Sequence, residues 1–149
     1  MVDLNAMSDE ALLTAFEECT LPMAAWTHRA HVRVAFLFAS RFPAPESLDR
    51  IRTAIKTYNA SRQIPESPDR GYHETITVVF MRLVHDAIRH TGPFVTSDVF
   101  CERHPELLEK SVLSRFYTKD RLRSPEAKRQ FIEPDLAPLP ELADALIEC

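Results

Sequence analysis

The chain has 149 residues, 45% hydrophobic and 27% charged, with net charge −4: the profile of one soluble globular domain with room for a core. The acidic balance argues against a general nucleic-acid binder. Two glycines, Gly71 and Gly92, against eleven prolines argue against phosphate loops, Rossmann turns and hairpin sheets, all of which need glycine where φ is positive.

The predicted elements are all helical. Ser8 can cap a first helix running to about Cys19, with Leu12, Leu13 and Phe16 on its inner side. Leu21-Pro22 ends it. Thr27 can cap a second helix to about Arg41, where His31, Val34, Ala35, Phe38 and Phe42 form one apolar stripe. After Pro43-Ala44-Pro45 a third helix spans about Glu46 to Asn59, with Leu48, Ile51, Arg52, Ile55 and Tyr58 at helical spacing. Residues 60–71 are polar, carry Pro65 and Pro68, and read as a loop or lid.

A fourth, long helix runs from about Tyr72 to His90 and ends near Gly92-Pro93, with His73, Ile76, Thr77, Phe80, Val84 and Ile88 on one face. The last third is more broken. Thr96 can cap a short helix to about Cys101, Pro105 suits the first turn of another to about Phe116, and Ser124-Pro125-Glu126 opens a further short one. Pro134, Pro138 and Pro140 then punctuate an extended tail before a final helical turn or two. The expectation is an all-α chain folded as a single domain over 1–149, a bundle of about four main helices with an irregular, proline-rich C-terminal portion.

No stretch approaches the ~20 apolar residues of a membrane span. The opening Met1-Val2-Asp3-Leu4-Asn5 has no basic-then-apolar leader, and the three cysteines (Cys19, Cys101, Cys149) have no CxxC spacing. A reduced, cytoplasmic protein is expected, with Cys19 and Cys101 as small core residues.

Two polar blocks carry the chemistry: Trp26-Thr27-His28-Arg29-Ala30-His31 and Tyr72-His73-Glu74-Thr75. Each sits where a helix begins and puts a histidine on the buried face. If the second and fourth helices pack together, His28, His31 and His73 can converge with Glu74 at one end of the bundle. Facing helices of bundles often hold metal sites, and imidazole with carboxylate suits zinc, iron, manganese or nickel. Three protein ligands, His28, His31 and His73, would leave a coordination position open for water or substrate. Glu74 could act as a ligand or as a base, and Tyr72 beside it as a second catalytic group. Trp26 would line the substrate pocket. Tyr58 and Tyr117 could add hydroxyls, whereas His85, His90 and His104 have no such company.

The bland alternative stands beside this. His-x-x-His is a weak motif without the Glu of zinc proteases or the thiolates of structural zinc sites. His28 could be an exposed first helical residue, His31 could bond a buried carbonyl, His73 could hold the preceding loop in place, and Glu74 could simply complement a helix N-terminus. A metal-free site is also open, with Trp26, Tyr72, His31 and His73 lining an aromatic pocket and a histidine and Glu74 acting as acid and base. From Lys110 to Arg129 seven basic residues face only Asp120 and Glu126. Arg115 and Arg121 among them could grip an anionic substrate group, or the segment could be a solvated face paired with acidic residues of the first half.

The two blocks, with His104-Pro105 and Ser124-Pro125-Glu126-Ala127, resemble a group of short, uncharacterised bacterial helical proteins over about residues 8–140. The resemblance implies a single compact domain in a bacterial cell and carries no activity to transfer. Two functions therefore stand as expectations. One is a metal-dependent hydrolase or lyase acting on a small molecule. The other is a metal-free binding or interaction module with structural histidines and a basic 110–129 segment that contacts an anionic partner. No membrane contact is expected and nucleic acid is disfavoured, while broad apolar helix faces suit a homodimer.

Overall fold

Local capping chemistry sets the helix starts. In the computed structural model, which describes residues 7–140, the Ser8 hydroxyl accepts the Ala11 N–H and opens α1 (Asp9–Glu17). Thr27 does the same for α2 (His28–Arg41) through Ala30, Thr96 for α5 (Ser97–Arg103) through Val99, and Ser124 for α7 (Pro125–Arg129) through Ala127. Between them lie α3 (Ala44–Ser61), α4 (Glu74–Thr91) and the short α6 (Lys119–Leu122). The described residues form no strand, so the all-α expectation holds.

Helix α2 is the central element. It packs against α1, α3, α4 and α5, and its residues Val32 through Phe38 are all buried. A helix enclosed by neighbours on every side needs no polar face, so the single stripe expected for it widens to nearly its whole circumference. One continuous apolar cluster runs from Leu12 on α1 to Leu139 in the tail.

Element boundaries differ from the expectation at several points, while the fourth helix ends at Gly92 as expected. The stretch from Pro105 forms two 3₁₀ turns, Pro105–Leu108 and Lys110–Arg115, instead of one helix. Its buried residues Leu107, Val112 and Leu113 do not fall on one helical face, and Glu109 between the turns is extended. Helix α4 begins two residues later than expected, at Glu74, because His73 is its extended N-cap. Gly92 closes α4 at φ −83, outside the left-handed region; glycine is needed there because a Cβ would stand 2.6 Å from the Ile88 carbonyl oxygen. The final helical turns expected after Pro140 lie outside the described residues, as does Cys149.

The irregular C-terminal portion is tied on by hydroxyl groups. Thr75 Oγ1, on α4, donates to the Gln130 carbonyl at 2.9 Å and accepts the Ile132 N–H at 3.2 Å. Tyr117 Oη donates to the Ile132 carbonyl at 2.6 Å, and Tyr58 Oη donates to the Leu21 carbonyl at 2.7 Å. The hydroxyls of Tyr58 and Tyr117, two of the three tyrosines considered as site groups, are thus engaged by backbone carbonyls.

A buried ionic clamp joins α1, α2 and α5. Arg33, 2% exposed, donates from Nε to Ser97 Oγ at 2.7 Å and from Nη2 to the Met7 carbonyl at 2.6 Å and Asp9 Oδ1 at 3.2 Å. Ser97 returns its hydroxyl and its N–H to the Asp9 carboxylate. Arg29 bonds Asp98 at 3.0 Å beside it. Burial alone would raise the Asp9 carboxyl pKa, but the hydrogen bonds from Ser97 and Arg33 outweigh it and hold the group below the usual carboxylate value. Cys101, fully buried nearby, is a small core residue whose thiol burial pushes up to about 11. No helix among the described residues is long and apolar enough to cross a membrane.

Candidate functional site

Helices α2, α3 and α4 do not close completely on one another. Between them, roofed by the loop that joins α3 to α4, lies a cavity of about 460 Å³. That falls within the ~300–1,000 Å³ typical of small-molecule sites. Val32 and Ala35 of α2, Ile51 and Ile55 of α3, and Ile76 and Met81 of α4 make apolar walls, and Trp26, Tyr72 and Phe80 add rings. The three histidines singled out in the sequence, His28, His31 and His73, all reach this one cavity. The packing of α2 on α4 brings them together, as the shared helix-start position suggested.

Their nitrogens are occupied unequally. His73 uses both: Nδ1 accepts the Ile76 N–H at 3.1 Å as the cap of α4, and Nε2–H donates to the Leu122 carbonyl at 3.0 Å. This ring has no lone pair left for a ligand. His28 donates from Nε2 to the Leu107 carbonyl at 3.0 Å and sits edge-on to Phe80. His31 donates from Nδ1 to the Thr27 carbonyl at 2.7 Å and stacks on Trp26, ring centres 3.7 Å apart. A carbonyl can only accept, so these bonds fix the tautomers. They leave His31 Nε2 and His28 Nδ1 as acceptors, and neither has a protein partner among the described residues.

Burial keeps these imidazoles neutral. His31 is pushed down to about 4 by burial, with the His28 and Lys110 charges adding to the effect and the hydrogen bond to Thr27 opposing it. His28 and His73 are lowered for the same first reason.

Glu74 and Tyr72 form a separate unit. Arg52 of α3 grips the Glu74 carboxylate with two bonds, Nε to Oε1 at 2.9 Å and Nη2 to Oε2 at 2.6 Å, and Tyr72 Oη donates to Oε1 at 2.7 Å. Burial tends to raise the Glu74 carboxyl, but Arg52 and Tyr72 outweigh it and keep the group low. Burial and the adjacent carboxylate raise the Tyr72 phenol well above its ordinary value. A carboxylate held this way is a strut between α3 and α4, and it is not part of the cavity wall. Among the described residues no three His, Cys, Asp or Glu side chains are grouped so as to hold a metal ion.

The basic segment meets the cavity only at its ends. Lys110 and Lys128 are on its wall, whereas Arg115 is exposed elsewhere and Arg121 donates to the Glu133 carbonyl at 2.6 Å. Lys128 bonds Glu66 and the Tyr72 carbonyl, both at 2.8 Å, which pins the α3–α4 loop as a roof. Gly71 in that loop has φ +93, and a Cβ there would run into the Glu66 carboxylate.

Several polar lining residues escaped the sequence reading, Asn59, Asp69 and Arg70 among them. Asn59 is 8% exposed, faces the cavity, and its side-chain amide has no partner among the described residues. Its signal was available: it continues the Ile51, Ile55 face of α3 at i+4 spacing.

The capping role of His73 gives a direct test. His73→Ala should destabilise the protein by about 0.5–2 kcal/mol in urea denaturation, the ordinary cost of a lost cap, and His73→Asn should recover most of it. Equal loss in both variants would assign the stability to the Leu122 contact instead.

No protein-family model, curated protein or solved structure matches the chain.

Proposed function

We propose that this protein binds a small molecule with a largely apolar body in the α2–α3–α4 cavity, and that His31 is its polar anchor. The observation that carries the reading is Nε2 of His31, an acceptor with no partner among the described residues, on the wall of a cavity of ligand size. The ring is stacked on Trp26 and fixed by the Thr27 carbonyl, so the acceptor is held in place before any ligand arrives. The metal-dependent hydrolase or lyase is supported less well. His73 would have to give up a helix cap and Glu74 its bidentate arginine, each at the cost of an uncompensated buried group.

Indole, titrated into the labelled protein at millimolar concentration, should shift the NMR resonances of Trp26, His31, Ile55 and Phe80. Ala35→Leu, which fills the cavity from α2, should abolish those shifts, with Ile55→Phe as the second filling variant. Shifts that survive both variants would place the binding elsewhere and defeat the reading. Stoichiometric zinc, manganese, iron or nickel that loads on the wild type and is lost in His28→Ala and His31→Ala would install the metal reading in its place.

A further inference from the structure

The polar groups on the cavity wall restrict what the occupant can be, given the binding reading above on which this step rests. Asn59 is more than nine-tenths buried, and its backbone carbonyl alone serves the end of α3 by accepting the Arg62 and Ile64 N–H groups. Its side-chain amide takes no part in that cap. The only side-chain N or O atoms sealed from solvent without a partner among the described residues are Arg62 Nε and Arg82 Nε. The Asn59 amide is therefore unpartnered but accessible, and the space it reaches is the cavity. An amide that has no protein partner and opens only onto the cavity favours a ligand that supplies those bonds in place of water.

The remaining wall sets the ligand's charge and hydrogen-bonding sense. His31 Nε2 offers a lone pair and demands a donor, and the second nitrogen of His28 is likewise an acceptor. A carboxylate could answer the cations Arg70, Lys110 and Lys128 on this wall but would be repelled at these two lone pairs, so it cannot use the histidine anchor. A cation would meet Lys110, Lys128 and Arg70 on the same wall, against Asp69 as the one carboxylate there. Either charge would also leave water for walls made of Val32, Ile51, Ile55 and Met81. The rings of Trp26, Tyr72 and Phe80 favour a flat body.

We infer that the site selects an uncharged, flat small molecule that donates an N–H or O–H hydrogen bond to His31 Nε2 and pairs an amide-like edge with Asn59. Aromatic amides, lactams and phenols have this chemistry. Fatty acids, amines and phosphate esters do not.

Five small probes separate the possibilities by NMR titration at pH 7.5: p-cresol, its donor-less isomer anisole, benzamide, benzoate and benzylammonium. Benzamide and p-cresol should bind at least about tenfold more tightly than anisole, the scale of one good hydrogen bond in a dry site. Benzoate and benzylammonium should be the weakest of the set. Asn59→Leu should weaken benzamide about fivefold or more and leave anisole unchanged. His31→Phe should remove the advantage of p-cresol over anisole. If anisole matches p-cresol, or either ion binds most tightly, the inferred class is wrong although the cavity still binds ligands. If none of the five, anisole included, shifts the cavity resonances, the binding reading itself fails. The comparison among probes uses the wild-type protein, so it stands even if one variant does not fold.

Discussion

Replacing Arg33 with alanine should lower stability by about 3–5 kcal/mol, the largest effect expected of any charged residue in the chain. The side chain is 2% exposed and bonds three acceptors on two other segments: Ser97 Oγ, Asp9 Oδ1 and the Met7 carbonyl. Truncation leaves the Asp9 carboxylate in a protein environment with only Ser97 and solvent to answer it. That uncompensated charge, more than the lost attraction, supplies the cost. Arg33→Lys should be nearly as harmful, because a single ammonium cannot reproduce the planar fork that reaches Ser97 and Asp9 together. Urea midpoints at pH 7 measure both. A loss under about 1 kcal/mol for Arg33→Ala would mean that the clamp forms without holding the fold, as surface pairs do. Adding Asp9→Ala to Arg33→Ala should recover part of the loss, which a purely steric role for Arg33 would not allow.

Acidification should destabilise the protein between pH 6.5 and 4, before most carboxylates protonate. Unfolded His31 titrates near 6.5 and folded His31 near 4. Between those values the unfolded chain binds a proton that the folded chain refuses, so stability is complete above 6.5 and is lost as pH falls towards 4. The full shift would correspond to about 3 kcal/mol; with partial access of water through the cavity, roughly 1–3 kcal/mol is expected. His28 and His73 are lowered too and add in the same direction. Asp9, Glu66 and Glu74 are held below their ordinary values, so their stabilisation is lost only at lower pH, from about 4.5 downward. Thermal unfolding at half-unit steps from pH 7.5 to 4, for the wild type and His31→Phe, separates the two windows. The variant should lose a large part of the slope above pH 5. A flat wild-type profile between pH 7 and 5 would mean that His31 is protonated as easily inside the fold as outside it, contrary to its burial.

Local chemistry made most of the fold legible. Ser8, Thr27, Thr96 and Ser124 each announce a helix, and each caps one through the N–H three residues on. The stretch after Pro105 was misleading because proline at a first turn fits a 3₁₀ turn as well as a longer helix. The site was legible in its membership more than in its roles. Periodicity put His28, His31 and His73 on inward helix faces, but it could not show that the His73 nitrogens are taken by Ile76 and Leu122, the latter 49 residues away. Arg52 and Glu74 are 22 residues apart, so their pairing left no local trace and Glu74 read as a ligand, a base or a complement to the helix N-terminus. Arg33 was invisible for the same reason: it sits among Val32 and Val34, and its partners Asp9 and Ser97 lie 24 and 64 positions away. Asn59 alone was missed despite a usable signal, its place on the Ile51 and Ile55 face.

The hydroxyl ties of the C-terminal portion bear on how the chain reaches this structure. Thr75 meets Gln130 and Ile132 across 55 and 57 residues, and Ser97 meets Asp9 across 88. Helices themselves form from neighbours within microseconds, but loops of this length must close before such bonds can reward the closure. The chain therefore has the elements of a fast-folding bundle and the long-range connectivity of a slower topology. Such connectivity predicts that the meeting of distant segments around α2, and not helix formation, limits the folding rate.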